Sequence, residues 1–199
     1  MRRIARLGLL ALFLGISIPA SAGPIQFDVF LQFSFGESGS PAAGCDPADP
    51  AGGFCIPSSG TLTDILDAAP WTFLAPTDGA TLLLIDAFLS GDQFEVLDFG
   101  TSLGLTSATL PGADCGDDPL VCLADGRLSY GIFLLGAGSH SITIIPVLSP
   151  EFGGSAYIKV SEGGGPVTVA EPGPLLLLSA GLIAIAAFRM VRSHRAARP

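Results

Sequence analysis

Basic side chains are scarce in this 199-residue chain, with nine Lys and Arg against eighteen Asp and Glu and a net charge of −9. That balance argues against a nucleic-acid binder. Between residues 23 and 170 only Arg127 and Lys159 remain against seventeen acids, so this stretch alone carries −15. Such a field disfavours polyanions and anionic membrane surfaces, and it favours cations, cationic partners or plain solubility. Histidine is equally sparse, because the same stretch holds only His140. With no G-x-S-x-G elbow to supply a nucleophile, His140 reads as a structural or surface residue, and His-rich transition-metal sites are excluded. Phosphate-binding motifs are missing too, and Gly163-Gly164-Gly165 reads as a linker. Charged residues total 14%, whereas hydrophobic ones reach 49% and the mean hydropathy is +0.59. A membrane-like average combined with an acid excess implies that distinct segments have been averaged together.

Resolved by position, the hydrophobicity lies at the two ends. Residues 1–22 run from Arg2, Arg3 and Arg6 through an apolar core to Pro19-Ala20-Ser21-Ala22. A basic start, a short apolar stretch and an A-x-A end describe a secretory signal peptide cut after Ala22; the apolar core is short for the competing N-terminal anchor. At the other end, residues 175–191 are apolar on every face except at Arg189, and Arg192, Arg195 and Arg198 follow. This segment predicts one membrane-crossing helix, just long enough if Arg189 snorkels, with its basic tail on the cytoplasmic side.

Immediately before that segment stands Val169-Ala170-Glu171-Pro172-Gly173-Pro174. An acidic-Pro element, a short apolar helix and a terminal arginine cluster, in that order over residues 170–199, resemble the PEP-CTERM sorting signal of exported bacterial proteins. Ala170-Glu171-Pro172 departs from the Pro-Glu-Pro element at its first position. The resemblance implies export by the secretion machinery, a stay in the inner membrane, then recognition by an exosortase-type enzyme and release to the cell surface or the exterior. Prolines at 172 and 174 hinder helix continuation upstream, which leaves an extended segment for such an enzyme to grip. An ordinary single-pass anchor is the plainer alternative.

The segment between the ends, residues 23–160, reads as an all-β domain followed by a Gly-rich linker at 161–169. Gln26 to Phe35 alternates apolar and polar residues with period two, a strand signal. Further strands are predicted at Trp71–Ala75, Ala80–Ile85, Gln93–Phe99, Leu128–Leu135, Ser141–Val147 and Ala156–Val160, separated by turn residues. Seven or eight short strands predict an antiparallel β-sandwich or jelly roll. Thr81-Leu82-Leu83-Leu84-Ile85 is continuously apolar, as befits a central strand. One short helix is predicted over Leu62–Ala69, capped by Thr61 or Thr63 and ended by Pro70. Trp71–Pro76, Asp86–Val96 and Gly138–Ile144 resemble a sandwich module of exported PEP-CTERM proteins and, more loosely, pre-peptidase C-terminal and CUB-like domains. That resemblance implies adhesion or accessory roles.

Cys45 and Cys55 bracket one Pro/Gly/Asp-rich loop, and Cys115 and Cys122 bracket another. Four cysteines allow three connectivities, and an oxidising destination favours the two local pairs over the crossed choices. Neither pair has zinc spacing. Asp86, Asp92, Glu95 and Asp98, and separately Asp114, Asp117 and Asp118, read first as solvated acids and Asx turns. Ca²⁺ is the sharper alternative for them, although neither group matches an EF-hand loop. Otherwise no cofactor and no metal ligand is expected. The function that fits is a non-enzymatic cell-surface or matrix protein contacting exopolysaccharide, with a secreted carboxylate-dependent hydrolase such as a glycosidase as the competing class. Mass spectrometry of the surface-retained form checks the addressing signals: it is expected to begin at Gly23 and to lack the arginine tail, and an intact tail there overturns the processing step.

Overall fold

The computed structural model describes residues 24–163. The signal segment ending at Ala22, the sorting element Ala170, Glu171 and Pro172, and the apolar segment 175–191 lie outside the described residues. Among the described residues no helix is long and apolar enough to cross a membrane. In chain order the elements are β1 (Phe30–Phe35), β2 (Cys45–Asp46), β3 (Gly53–Phe54), β4 (Thr63–Ile65), β5 (Trp71–Ala75), β6 (Ala80–Asp86), β7 (Gln93–Asp98), β8 (Thr101–Leu105), α1 (Pro119–Asp125), β9 (Tyr130–Leu135), β10 (Gly138–Leu148) and β11 (Gly154–Glu162).

Period-two alternation decides how these strands pack. On β5, Trp71, Phe73 and Ala75 are buried while Thr72 and Leu74 face water; on β10, His140, Ile142 and Ile144 are buried between partly exposed neighbours. Those inward residues meet Leu31, Phe33 and Phe35 of β1, Leu82 and Leu84 of β6 and Ile158 of β11 in one core. The result is a sandwich of a five-stranded sheet ordered β4-β1-β11-β6-β9 and a four-stranded sheet ordered β5-β10-β7-β8. The pairs β1–β11, β11–β6, β6–β9, β5–β10, β10–β7 and β7–β8 are antiparallel, while β4 runs parallel to β1, and so does the short pair β2–β3. The fold class is all-β, with these two parallel pairings as the exception to an antiparallel plan.

The central strands of the five-stranded sheet, β1, β11 and β6, are covered on both faces, which explains the unbroken apolar run in β6. Leu82 and Leu84 face the inter-sheet core, whereas Leu83 and Ile85 face a second cluster with Phe30, Leu128, Tyr157 and Cys122 beneath α1. A strand covered twice needs apolar residues at every position.

Three expectations need correction. The predicted helix at Leu62–Ala69 is absent: Thr63–Ile65 adds as a strand to the free edge of β1, and Leu62 stays exposed, so the apolar spacing never acquires a buried helical face. The helix that does form is α1, where Asp118 accepts the N–H of Leu120, Pro119 opens the first turn and Gly126 closes the last at φ 72°. That is the usual order of cap, N-terminal Pro and C-terminal Gly, inside a loop that reads from sequence as turn chemistry alone. The predicted linker also starts too early, because β11 continues to Glu162 and pairs it with Ala80. Gln26–Phe35 is likewise shortened: Asp28 takes φ 61° and the regular strand begins at Phe30.

Both disulfides are local, Cys45–Cys55 and Cys115–Cys122, and among the described residues no cysteine is free. Phe33 lies with its ring 5.4 Å from that of Trp71 and 6.1 Å from that of Phe94, so it touches both sheets. Phe33→Ala is therefore expected to lower unfolding free energy by about 3–5 kcal/mol, against less than about 0.5 kcal/mol for Leu74→Ala on the exposed face. Denaturant titration of both variants measures the difference.

Candidate functional site

At one end of the sandwich, three loops surround a cleft of about 220 Å³. Phe54 and Ile56 flank Cys55 at the end of the loop closed by Cys45–Cys55, Phe88 and Leu89 come from the β6–β7 loop, and Glu151 and Gly153 come from the β10–β11 turn, with Gly154 opening β11. Phe54, Gly153, Gly154 and Ser155 also line a neighbouring trough of about 630 Å³ that reaches Phe152 and Pro41. The two depressions therefore share one wall. Phe54 and Phe152 stand 79% and 78% exposed, unusual for phenylalanine. Phe88 and Phe152 adopt φ 60° and 61°, a left-handed conformation that bulky L-residues enter at a cost of about 1–3 kcal/mol. The glycines have a steric reason as well. A Cβ on Gly153, itself at φ 138°, would lie 2.7 Å from the Phe35 carbonyl oxygen, and one on Gly154 would lie 3.0 Å from the Phe35 ring.

Each wall is tied down by one disulfide-closed loop. Ser34 donates its hydroxyl to the Gly44 carbonyl at 2.6 Å and accepts the Gly53 N–H at 2.7 Å, which fixes the turn leading to Phe54. Opposite, the Phe88 N–H donates to Gly116 and its carbonyl accepts from Cys115, both at 3.0 Å. Ser90 donates to the Leu110 carbonyl at 2.7 Å and accepts the Ala113 N–H at 2.9 Å. The β6–β7 loop is thereby zipped onto the segment that carries Cys115.

Beneath the cleft sit two buried carboxyls, Asp86 at the end of β6 and Asp92 at the start of β7. Burial first, with the neighbouring Asp92 charge adding and the N–H groups of Ala87, Asp92 and Gly91 opposing, pushes Asp86 up to about 8. Asp92, which lines the cleft, is raised to about 6 by burial, with the Ser149 hydroxyl opposing and the Glu151 charge adding.

The other acids singled out from sequence lie elsewhere. Glu95 accepts from Ser102 at 2.7 Å on β8. Asp98 receives the Ser141 N–H at 2.9 Å and pairs with His140 Nδ1 at 2.7 Å. Asp114 accepts the Gly116 N–H, Asp117 accepts the Ser59 hydroxyl, and Asp118 caps α1 while binding Thr61. The Thr61 hydroxyl, with the N–H groups of Leu120 and Thr61, holds Asp118 below the usual carboxylate range. These are loop-bracing roles, and among the described residues no three His, Cys, Asp or Glu side chains gather as metal ligands. His140 is structural: its Nε2 lies 2.9 Å from the Gly136 carbonyl and its ring stacks on Phe73, so neither nitrogen is open to a nucleophile.

Sequence reading singled out Asp86 and Asp92 but not Phe54, Phe88, Ser149, Glu151 or Phe152. Two patterns could have pointed to the aromatic rim, Gly52-Gly53-Phe54 and Phe152-Gly153-Gly154, since a Phe beside paired glycines sits in a turn and has no strand face to bury. No family model matches the chain, and neither a curated protein nor a solved structure matches it.

The buried acids make stability depend on pH. Native Asp86 and Asp92 hold protons that the unfolded chain releases above about pH 4, so their contribution is complete below that pH and is lost as pH rises toward 8. In chelator, stability is expected to fall from pH 5 to pH 9, with Asp86 alone accounting for up to about 1.4 kcal/mol per pH unit between 6 and 8. Asp86→Asn should flatten that slope in urea titrations; an equal slope in the variant contradicts the assignment.

Proposed function

We propose that the chain is a non-enzymatic exported protein of the cell surface or extracellular matrix, and that the cleft end of its sandwich binds glycan. The observation that carries this reading is the pair of exposed phenylalanines, Phe54 and Phe152, held on braced and strained loops around a shared groove. Flat apolar faces suit the apolar face of a sugar ring, and fixed polar groups beside them set orientation. Glu151 and Asp92 at the same cleft accept hydroxyl or amine donors. Combined with the −15 charge of residues 23–170, they select uncharged or amine-bearing sugars over uronate-rich chains.

Support for export comes from the residues already described: the A-x-A end at Ala22, Ala170-Glu171-Pro172 before an apolar stretch, and the terminal arginines. The two disulfides suit an oxidising compartment. On this reading the chain passes through the secretion machinery and meets an exosortase-type enzyme at the membrane, and its exported part works outside.

A second reading, a secreted hydrolase, draws on Asp92, raised to about 6 by burial and facing the cleft near Glu151. Paired carboxyls in a cleft are the groups that glycoside hydrolysis uses. One experiment separates the two. On an array of neutral and amino-sugar oligosaccharides, the binding reading expects retention without turnover, weakened at least tenfold by Phe54→Ala or Phe152→Ala. Release of product that Glu151→Gln abolishes assigns the hydrolase instead, and the absence of both retention and turnover overturns the glycan reading.

A further inference from the structure

Three buried oxygens at the cleft end, Asp86 Oδ2, Asp92 Oδ1 and Ser149 Oγ, on residues 0%, 5% and 7% exposed, make no well-formed hydrogen bond, even though Ser149 lies near enough to Asp92, and the Gly91 and Asp92 N–H groups near enough to Asp86, to act on their charge. Strand alternation, carried one residue beyond β7 and β10 for Asp92 and Ser149, aims all three between the sheets. On β6, Leu82 and Leu84 face the inter-sheet core, and Asp86 follows Leu84 by two residues. On the opposite sheet Phe94 and Val96 face the same core, and Asp92 precedes Phe94 by two. The bulge between Pro146 and Leu148 shifts β10 so that Leu148 pairs with Gln93. Continuing that register by one residue puts Ser149 opposite Asp92.

Two carboxyls thus converge from opposite sheets, with a hydroxyl beside them and neither cation of the domain among their partners. Arg127 pairs with Asp125, and Lys159 lies near Asp28. Such an arrangement stays costly until something neutralises it. Orphaned oxygens in a native interior likewise call for an occupant.

We propose that Asp86, Asp92 and Ser149 hold a Ca²⁺ ion between the two sheets at the cleft end of the sandwich. All three donors are oxygens, the set that a hard cation takes, and Ca²⁺ accepts irregular geometry with water filling its remaining positions. Asp92 lines the cleft, which gives ion and water a path inward, and Glu151 stands at its mouth. The site shares Asp92 with the cleft, but its test reads metal binding directly, so loss of sugar binding leaves the proposal untouched.

The test uses the full-length chain stripped with chelator, titrated with CaCl₂ at pH 7.5 and followed by thermal unfolding and calorimetry. The expected result is one Ca²⁺ per chain by calorimetry and a midpoint rise of about 5 °C or more at millimolar Ca²⁺. Asp86→Asn and Asp92→Asn should each abolish the Ca²⁺ shift, and Ser149→Ala should weaken binding several-fold. Asp114→Asn, at an exposed acid, should leave the shift intact. Because Asn is an uncharged isostere of Asp, Asp86→Asn is expected to fold without metal and to melt at or above the metal-free parent; Ser149→Ala gives a second reading if it does not. No shift at 10 mM CaCl₂, or an undiminished shift in both Asn variants, overturns the site.

Discussion

Closure of the two sheets over Phe33 is the constraint on which the rest of the molecule depends. Its ring, fully buried, contacts Phe35 within its own strand and Trp71 and Phe94 from the facing sheet. An apolar interior of this kind supplies most of the favourable free energy of folding, and native packing density leaves little room for adjustment. With the sheets fixed at that centre, the loops at each end inherit defined starting points. Trp71 also ties the core to its surroundings, since its indole N–H donates to the Asp67 carbonyl at 2.8 Å and so secures the chain entering β5.

From that centre outward the fold turns from apolar to polar in a graded way. Phe94 N–H donates to the Thr106 hydroxyl at 3.0 Å, and that hydroxyl lies 3.2 Å from Ser129 Oγ, so the layer next to the aromatic cluster is already hydrogen-bonded. One step further lie Asp86, Asp92 and Ser149, each with one buried oxygen that makes no well-formed hydrogen bond. Carboxyls at inward-facing positions oppose sandwich stability while they are charged. Their presence exactly where the core meets the cleft is what separates this end of the sandwich from an ordinary capped end.

Much of this architecture was legible because alternation is a physical signal with one cause. Trp71–Ala75 matches β5 to the residue, and β6, β7, β9, β10 and β11 were all anticipated to within a few positions. The local disulfides followed from loop closure. What escaped depended on tertiary context. Thr63–Ile65 is strand only because β1 offers a free edge, and Thr101–Leu105 is strand through pairing with β7, its alternation limited to Leu103 and Leu105 around Gly104 and so too short to mark a strand by itself. At the site, Asp86 and Asp92 stood out as acids, but their convergence from opposite sheets needs the bulge in β10 and the strand phase of β6, neither of which a linear pattern contains. The aromatic rim escaped for the opposite reason: exposed Phe residues contradict the burial rule that sequence reading relies on.

The seven residues from Asp86 to Asp92 connect the buried acids to the groove. Asp86 accepts the Ala87 N–H at 2.9 Å at one end of this loop, while Phe88 and Leu89 form a cleft wall in its middle. Because Phe88 is held in a left-handed conformation and its backbone is bonded to Cys115 and Gly116, the loop has few ways to move that do not also disturb the segment closed by Cys115–Cys122. Whatever sets the charge on Asp86 and Asp92 therefore acts on a short, braced connection whose other side lines the cleft. Coupling between two sites needs an element that both contact, and the β6–β7 loop meets that requirement without any change in the sheets themselves.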